Sequence, residues 1–373
     1  MKNTFKLFGI IAVIAVISFS MAGCDNESPA TGGGVYTPTS GLYRVTGQAI
    51  VAADRVELNL GLANLVTSTA LHVNENPGTF ILLVGHNVIV SPATANFEEG
   101  VHLTVVGIGG RRNITRQGAG TLFTVNGPNR SLTLGDNIDL VGNAGNTLPL
   151  VSVQDGGVLT MNYGARIRDN TVTAINQSGG VHVTGAGSTF TMNGGEIFEN
   201  RATNIGSAAG VRVHDGASFV MHEGAVIRDN TATGGTSGSG VRVGDGASFV
   251  MQAGVIRDNT AEGINSGAGV SLYNDDSTFT MLGGEIRRNE ATSNTSTAGG
   301  VRVSAGTFRI VNGVIYGAGA GAANANIGGT LLLSAEGTAT PCTMVGGVFT
   351  PSGSPLDNTG TTIRVVDGVR QAN

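Results

Sequence analysis

The chain has 373 residues, with 21 Lys and Arg against 26 Asp and Glu and a formal net charge of −5. This acidic balance argues against nucleic acid and anionic lipid headgroups as partners, because both attract basic surfaces. The 60 glycines raise disorder as an alternative, but the hydrophobic content of 40% argues against it. Of the two cysteines, one directly follows the N-terminal signal described next, so we expect no internal disulfide.

Residues 1–23 have the features of an export signal. Lys2 and Lys6 precede an apolar run over residues 7–19 that is too short to span a membrane. Small residues then lead directly to Cys24, a pattern that resembles a lipoprotein signal peptidase site. We expect Cys24 to become a lipidated N-terminus that anchors the chain to a membrane. The alternative is a plain secretory signal that leaves Cys24 as a thiol.

The segment that follows divides into a tether and an N-terminal cap. Residues 24–41 are polar and rich in Gly, Ser, Thr and Pro, which is typical of a flexible linker. Residues 42–121 predict a cap with irregular coils. Within them, the helical spacing of apolar side chains over Leu62–Val73 predicts a short amphipathic helix that covers the open end of a sheet.

Residues 122–329 repeat one pattern with a period of about 30 residues. Each copy contains three short apolar islands that alternate with period two, and glycine-rich turns separate them. Such islands are strands with one buried face, and the turns allow sharp bends. Three strands cannot form a propeller blade, so the simplest fold is a coil whose strands stack in parallel on the next coil. The sequence therefore predicts an all-β parallel β-helix of about nine coils.

An asparagine ends the third island of each copy. Inside a solenoid, such a corner residue can bond its amide to the asparagines above and below it. We interpret this column as a structural ladder rather than a catalytic feature. The predicted members are Asn143, Asn170, Asn200, Asn230, Asn259 and Asn289.

The repeat decays after Gly300. Ala318 stands where the next ladder asparagine is expected, and residues 317–329 have low complexity and predict a loose loop. Residues 330–373 predict C-terminal coils or a cap, with a last strand over Thr361–Val366.

The pattern "GGVxV…GxFTMxGGEIxxN…A…GG", present over Gly179–Asn200 and Phe279–Gly300, resembles the repeat of bacterial parallel β-helix lipoproteins. The resemblance covers about Gly61–Gly329. It implies a right-handed, pectin-lyase-like β-helix in a mostly uncharacterised family. Its motifs specify a fold and no activity.

Arginine columns on the outward-facing positions are the candidate binding face. One column follows the third island and the other lies between the paired valines of the first island. The functional interpretation is a surface that binds an acidic glycan or a partner protein, and the alternative is a solvated face neutralised by neighbouring carboxylates. The candidate residues are Arg168, Arg228, Arg257, Arg287, Arg212, Arg242 and Arg302.

No residue pattern predicts catalysis, a metal or a cofactor. The resemblance implies a fold that also hosts polysaccharide lyases and hydrolases, but nothing in the sequence fixes a pair of carboxylates at a defined separation. The adjacent acids Asp275 and Asp276 lie in a predicted turn. The six histidines show no ligand spacing, and His214 and His222 are interpreted as exposed variation. Cys342 is interpreted as a half-buried structural thiol.

The sequence thus favours a lipid-anchored, monomeric protein of the cell envelope, at the outer membrane or cell surface. We expect a non-catalytic role in adhesion, in binding a glycan or an envelope or host protein, or in surface structure. A tethered polysaccharide lyase or glycoside hydrolase and a passive scaffold are the alternatives. The loops between the ladder asparagine and the next valine pair gather along one edge, and their variation indicates either a binding face or drift.

Overall fold

A computed structural model describes residues 37–47, 50–58, 64–91, 94–274, 276–293, 297–317 and 323–328, and the backbone of five later strands. The chain is a parallel β-solenoid of about eight turns. Its regular part consists of three long sheets, which we number in the order in which each coil visits them. The nine strands of sheet 1 mark the rungs that bound these turns.

Sheet 1 contains the first apolar island of each coil, and all of its strands pair in parallel and in register. The valines of each Val-x-Val pair face the core, where they are fully buried. The strands are β5 (Ala95–Asn96), β8 (Phe123–Asn126), β11 (Val151–Gln154), β15 (Val181–Thr184), β19 (Val211–His214), β23 (Val241–Val243), β27 (Val270–Leu272), β31 (Val301–Val303) and β34 (Leu331–Leu333).

Sheet 2 contains the second island and is thirteen-stranded. Its phenylalanines stack along the core with ring centroids 4.7–4.9 Å apart. The strands are β1 (Gly41–Arg44), β2 (Arg55–Val56), β3 (Gly78–Val84), β6 (Val101–Gly107), β9 (Ser131–Leu134), β12 (Val158–Met161), β16 (Thr189–Met192), β20 (Ser218–Met221), β24 (Ser248–Met251), β28 (Thr278–Met281), β32 (Thr307–Ile310), β35 (Thr343–Val345) and β36 (Val348–Thr350).

Sheet 3 contains the third island and is eleven-stranded. One isoleucine or leucine in each of its repeat strands points into the core. The strands are β4 (Val88–Val90), β7 (Arg112–Arg116), β10 (Ile138–Val141), β13 (Arg166–Arg168), β17 (Gly195–Phe198), β21 (Ala225–Arg228), β25 (Val255–Arg257), β29 (Glu285–Arg287), β33 (Gly313–Ile315), β37 (Ile363–Val366) and β38 (Val369–Arg370).

A fourth, short sheet lies where the sequence predicts only loop. The two residues that follow each ladder asparagine form a short strand that pairs in parallel with the same strand of the next coil. They pair because stacking leaves their backbone N–H and C=O groups facing one another. Its five strands are β14 (Thr171–Val172), β18 (Arg201–Ala202), β22 (Thr231–Ala232), β26 (Thr260–Ala261) and β30 (Glu290–Ala291).

The N-terminal helix α1 (Leu65–Glu75) packs against strands β3, β4 and β5, the first strands of the three long sheets in the parallel stack. It begins at Leu65 rather than at the predicted Leu62, because Asn64 is extended and its side chain accepts a hydrogen bond from the Thr67 N–H at 3.0 Å. A 3₁₀ helix (Ala52–Asp54) precedes it. Strand β1 precedes both and pairs antiparallel with β3.

The C-terminal strands also confirm part of the prediction. Strand β37 falls within the predicted last strand, and it pairs antiparallel with β33. Strand β36 pairs antiparallel with β32 in the same way. Antiparallel strands thus follow the last parallel rungs of sheets 2 and 3.

Candidate functional site

The asparagine ladder is present in the core and is displaced at its ends. The amide of Asn200 donates to the side-chain oxygen of Asn230 at 3.1 Å, and Asn230 donates to Asn259 at 3.0 Å. These members and Asn170 and Asn289 are buried. The backbone N–H of each also donates to the next asparagine side chain, so the column satisfies the polar groups of every corner.

Asn143 is not a ladder member, and this part of the prediction is wrong. It is half-buried and donates to the carbonyls of Arg116 and Gly118. The buried Asn146 takes its place and donates to the Asn170 side chain at 2.8 Å. At the other end Asn326 accepts from Asn289 at 3.0 Å, although the sequence there predicts only a loop. The period of about 30 residues gave the wrong asparagine at both ends because the loop length changes in these two coils.

The arginine column of sheet 3 is neutralised by carboxylates. Arg228 contacts Glu196 and Asp229, each at 2.6 Å, and Arg257 pairs with Asp258. Arg168 contacts Asp139 at 3.0 Å, and Arg287 contacts Glu285 at 3.1 Å. Burial raises the pKa of Asp258, but hydrogen bonds from Arg288 and Arg257 outweigh it and lower that pKa. The contacts of this column therefore agree with the second interpretation, in which neighbouring carboxylates neutralise the arginines of a solvated face.

The other arginine column is buried, so the prediction of an outward binding face is wrong for Arg212, Arg242 and Arg302. Their exposed fractions are 5%, 3% and 2%. In each coil, the segment that leads from the fourth, short sheet back to sheet 1 lies directly against these arginines, and we call it the returning segment. A Cβ on Gly238, which belongs to it, would lie only 2.8 Å from the Cβ of Arg242. Small residues therefore occupy this position of the returning segment. They are Ser178, Ala208, Gly238, Gly267 and Ala298.

Arg242 is enclosed between the returning segment and Tyr273. Its Nε donates to the carbonyl of Thr236 at 3.1 Å, and its guanidinium carbon lies 3.4 Å from the centroid of the Tyr273 ring. Burial lowers the pKa of Arg242 to about 10. The cation is thus held by a ring face and a carbonyl rather than by a carboxylate.

Arg212 extends this cluster toward a hydrogen-bonded chain. Its Nη2 donates to the Tyr273 hydroxyl at 2.9 Å, and that hydroxyl donates to Asp245 at 3.0 Å. Burial raises the pKa of Tyr273. Within the described residues, the Nε of Arg212 and one terminal nitrogen of Arg242 have no hydrogen-bond partner.

Two histidines lie beside Arg212. The Nε2 atoms of His182 and His214 are 2.6 Å apart, and the Nδ1 of His214 lies 2.7 Å from Asp215. Burial lowers the pKa of both histidines, that of His214 to about 4, and the nearby Arg212 lowers both further. Both rings are therefore neutral at pH 7.

These contacts fix the tautomers. A carboxylate only accepts, so the Nδ1 of His214 carries its proton and its Nε2 has a free lone pair. The proton shared by the two rings then belongs to the Nε2 of His182. The Nδ1 of His182 is left as a buried acceptor without a partner in the described part of the chain.

Two aspartates in tight turns lie beside the histidines. Asp215 and Asp245 occupy equivalent Asp-Gly turns and have φ of 55° and 52°, which short polar side chains tolerate. Ligand atoms of His214, Asp215 and Asp245 lie within 4.8 Å of one another. The interpretation of His214 as exposed variation is therefore wrong. The sequence pattern did not reveal the site, because its members lie up to 63 residues apart, on strands of sheet 1 and in the turns that follow them.

A second feature lies on the loop edge. Ile175, Ile205 and Ile264 have exposed fractions of 57%, 56% and 54%. Their loops are in register, since the Asn176 N–H donates to the Ile205 carbonyl and the Thr236 N–H donates to the Ile264 carbonyl. Gly235 fills the aligned position between them. We call this row the isoleucine ridge.

Several predicted residues lie outside the described part of the chain. They include Cys24, Cys342 and Asp275. The neighbouring Asp276 is exposed.

Comparison with known proteins adds no family. No family model, no curated protein and no solved structure matches this chain. Among the described residues, no helix has the length and apolar character that crossing a membrane requires.

Proposed function

We propose that this chain is an exported, lipid-anchored and non-catalytic rod of the cell envelope that binds a protein partner along the isoleucine ridge. The export signal and Cys24 support the anchor. The repeat, which resembles that of bacterial right-handed β-helix lipoproteins, also supports a location in the cell envelope. Residues 24–41 then act as a tether that holds the rod away from the lipid surface.

The isoleucine ridge is the observation that carries this proposal. Three aliphatic side chains, each more than half exposed, line up across four coils that are about 4.8 Å apart. Single exposed apolar residues are ordinary, but an aligned row is the kind of surface that marks a protein interaction site. The loops that present the ridge (residues 173–180, 203–210, 233–240 and 262–269) contain a single charged residue, Glu262. An uncharged apolar row suits a protein surface better than an acidic glycan.

The arginine contacts also disfavour the glycan-binding alternative. The sheet 3 arginines are paired with carboxylates, and the sheet 1 arginines are covered by the returning segments. An acidic polysaccharide would have to displace these contacts before it met the guanidinium groups of either column. The ridge needs no such rearrangement.

Site-specific photo-cross-linking tests the ridge. A photoreactive amino acid at position 235 lies in the middle of the ridge, and the same residue at exposed position 276 is the control. We expect a discrete cross-linked protein from 235 in cells that express the full-length chain. The triple variant Ile175→Ser, Ile205→Ser, Ile264→Ser should reduce that product at least tenfold without changing the thermal midpoint by more than a few degrees. A product that is equal at both positions, or that the triple variant retains, contradicts the proposal.

A tethered glycoside hydrolase is the second candidate, and one observation favours it. Carboxylate oxygens of Asp215 and Asp245 lie within 4.8 Å, near the separation of about 5 Å that retaining glycosidases use. Each of these carboxylates already accepts a bond from a neighbour, Asp215 from Thr184 at 2.9 Å and Asp245 from Tyr273. Release of new chain ends from a polysaccharide, lost in Asp215→Asn, would establish this candidate.

A further inference from the structure

The geometry of the His182–His214 pair points to a binding site for a divalent transition metal ion, and we propose that this pair ligates Zn²⁺ or a related ion through both Nε2 atoms. Asp215 orients His214 by accepting a hydrogen bond from its Nδ1. The inference is independent of the proposed function, because it concerns the outer face of sheet 1 rather than the loop edge.

The hydrogen bond from His214 to Asp215 is the first argument. Metal-ligating histidines almost always donate their second ring nitrogen to a carboxylate, a carbonyl or water, which fixes the tautomer and the ring orientation. Here the Nδ1 of His214 lies 2.7 Å from the Asp215 carboxylate. The Nε2 lone pair is consequently aimed away from Asp215 and toward His182.

The convergence of the two rings is the second argument. Their Nε2 atoms are 2.6 Å apart, and the ring planes are nearly perpendicular, at 79°. Two ligands at about 2.0–2.1 Å from a tetrahedral zinc ion are roughly 3.3 Å apart, so the rings need to separate by less than about 1 Å. When the ion binds, the Nε2–H bond of His182 breaks and its proton moves to Nδ1, which is unpartnered within the described residues.

Two carboxylates lie close to the His214 ring. Ligand atoms of His214, Asp215 and Asp245 lie within 4.8 Å of one another, and two carboxylates offset the positive charge that Arg212 brings to the cluster. His214 and Asp245 are half-buried and Asp215 is exposed, so an ion can enter from the turn side. His182 closes the site from within, because it is 5% exposed.

The ligand types select the metal. Imidazole nitrogens suit Zn²⁺, Cu²⁺ and Ni²⁺, whereas Ca²⁺ and Mg²⁺ require mainly oxygen ligands. The two imidazole nitrogens leave the remaining coordination positions of such an ion to water. We therefore expect binding of Zn²⁺ and Cu²⁺ but not of Ca²⁺.

Titration calorimetry on the full-length chain, purified without a histidine tag and stripped with EDTA, tests this inference. We expect one equivalent of ZnCl₂ to bind and CaCl₂ to give no saturable heat. His214→Gln and His182→Gln should weaken Zn²⁺ binding at least 100-fold. Asp215→Asn should weaken it 10- to 100-fold, as loss of a carboxylate that orients a ligating histidine does. His222→Gln, which changes a histidine of the same coil outside the cluster, should leave the affinity unchanged.

Copper spectroscopy keeps the test independent of variant folding. One equivalent of CuCl₂ on the unsubstituted chain should give an electron paramagnetic resonance spectrum with coupling to two imidazole nitrogens. A spectrum with one or no coordinated imidazole would overturn the inference. So would Zn²⁺ binding that persists in the His182→Gln, His214→Gln double variant, or the absence of stoichiometric binding by the unsubstituted chain.

Discussion

Asn230 donates its side-chain amide to the Asn259 side chain at 3.0 Å, and its own side-chain oxygen accepts from Asn200 at 3.1 Å. The same side chain also donates to the carbonyl of Ile197 at 3.0 Å and accepts from the backbone N–H of Asn200 at 3.1 Å. One buried amide thus links three successive coils. The ladder is a continuous hydrogen-bonded column, and removal of a central member leaves buried groups on both sides without partners.

Asn230→Leu should therefore lower the free energy of unfolding by about 1–3 kcal/mol, the cost of leaving buried donors and acceptors unpaired. Urea unfolding followed by circular dichroism measures this change. Asn143→Leu is the matched control, because Asn143 is half-buried and lies outside the column. We expect a smaller loss there, and an unchanged midpoint in Asn230→Leu would contradict the ladder.

Arg242→Glu should destabilise the fold strongly. The substitution places a carboxylate under the returning segment, against a carbonyl and the face of Tyr273, where only a cation is stabilised. Breaking a buried charge arrangement of this kind costs about 3–5 kcal/mol. Arg201→Glu, at an exposed arginine, should change the free energy of unfolding by less than about 0.5 kcal/mol. Equal midpoints for the two variants would show that Arg242 is accessible.

Stability should fall on acidification below pH 6.5. The folded-state pKa of His214 is lowered to about 4, whereas an unfolded histidine has a pKa near 6.5. Protonation therefore favours the unfolded chain, so the contribution is complete above pH 6.5 and is lost as the pH falls toward 4. Arg212, Asp215 and Asp245 are the charged groups that act on His214, and Arg212 also acts on His182.

His214→Gln isolates this effect. We expect it to remove roughly 2 kcal/mol of the pH dependence between pH 6.5 and 4, the scale of a shift of two to three pKa units in a half-buried group. Urea midpoints measured in EDTA across this range provide the test. His222→Gln is the control and should leave the slope unchanged. An identical slope in His214→Gln and the unsubstituted chain would contradict the assignment.

Cys24→Ser should release the chain from the membrane, because the variant has no thiol to carry the acyl chains of a stable anchor. Membrane sedimentation and a mass measurement of the N-terminal peptide report the change. Cys342→Ser is the matched control and should remain with the membrane fraction. If both variants sediment with membranes and the N-terminal peptide carries no lipid, the anchor proposal fails.

The period-two islands predicted the three sheets because each side chain in a strand has only two faces to choose from. The isoleucines of sheet 3 and the phenylalanine stack follow directly from that rule. The same rule correctly placed Arg242 on the outer face of sheet 1. It failed on exposure, because the returning segment that covers Arg242 depends on small residues such as Gly238 in another part of the coil.

The contact between the two histidines could not be predicted from the sequence pattern. His182 and His214 meet because one coil places His182 beside Arg212, and His214 follows Arg212 by two residues on the same strand face. The resulting diagonal contact between neighbouring strands follows only from the register in which the coils stack. The column of small residues at Gly238 and Gly267 was the available sign that something packs against this face.

The central claim is that the chain binds a protein and does not act on polysaccharide. Its most direct test is incubation of the full-length chain with acidic and neutral polysaccharides, with and without Ca²⁺, while retained protein and new chain ends are both counted. We predict neither, because the arginines of the two candidate columns are paired with carboxylates or buried. New chain ends would contradict the claim and direct attention to Asp215 and Asp245, and retention without new ends would show that a glycan, rather than a protein, is the ligand.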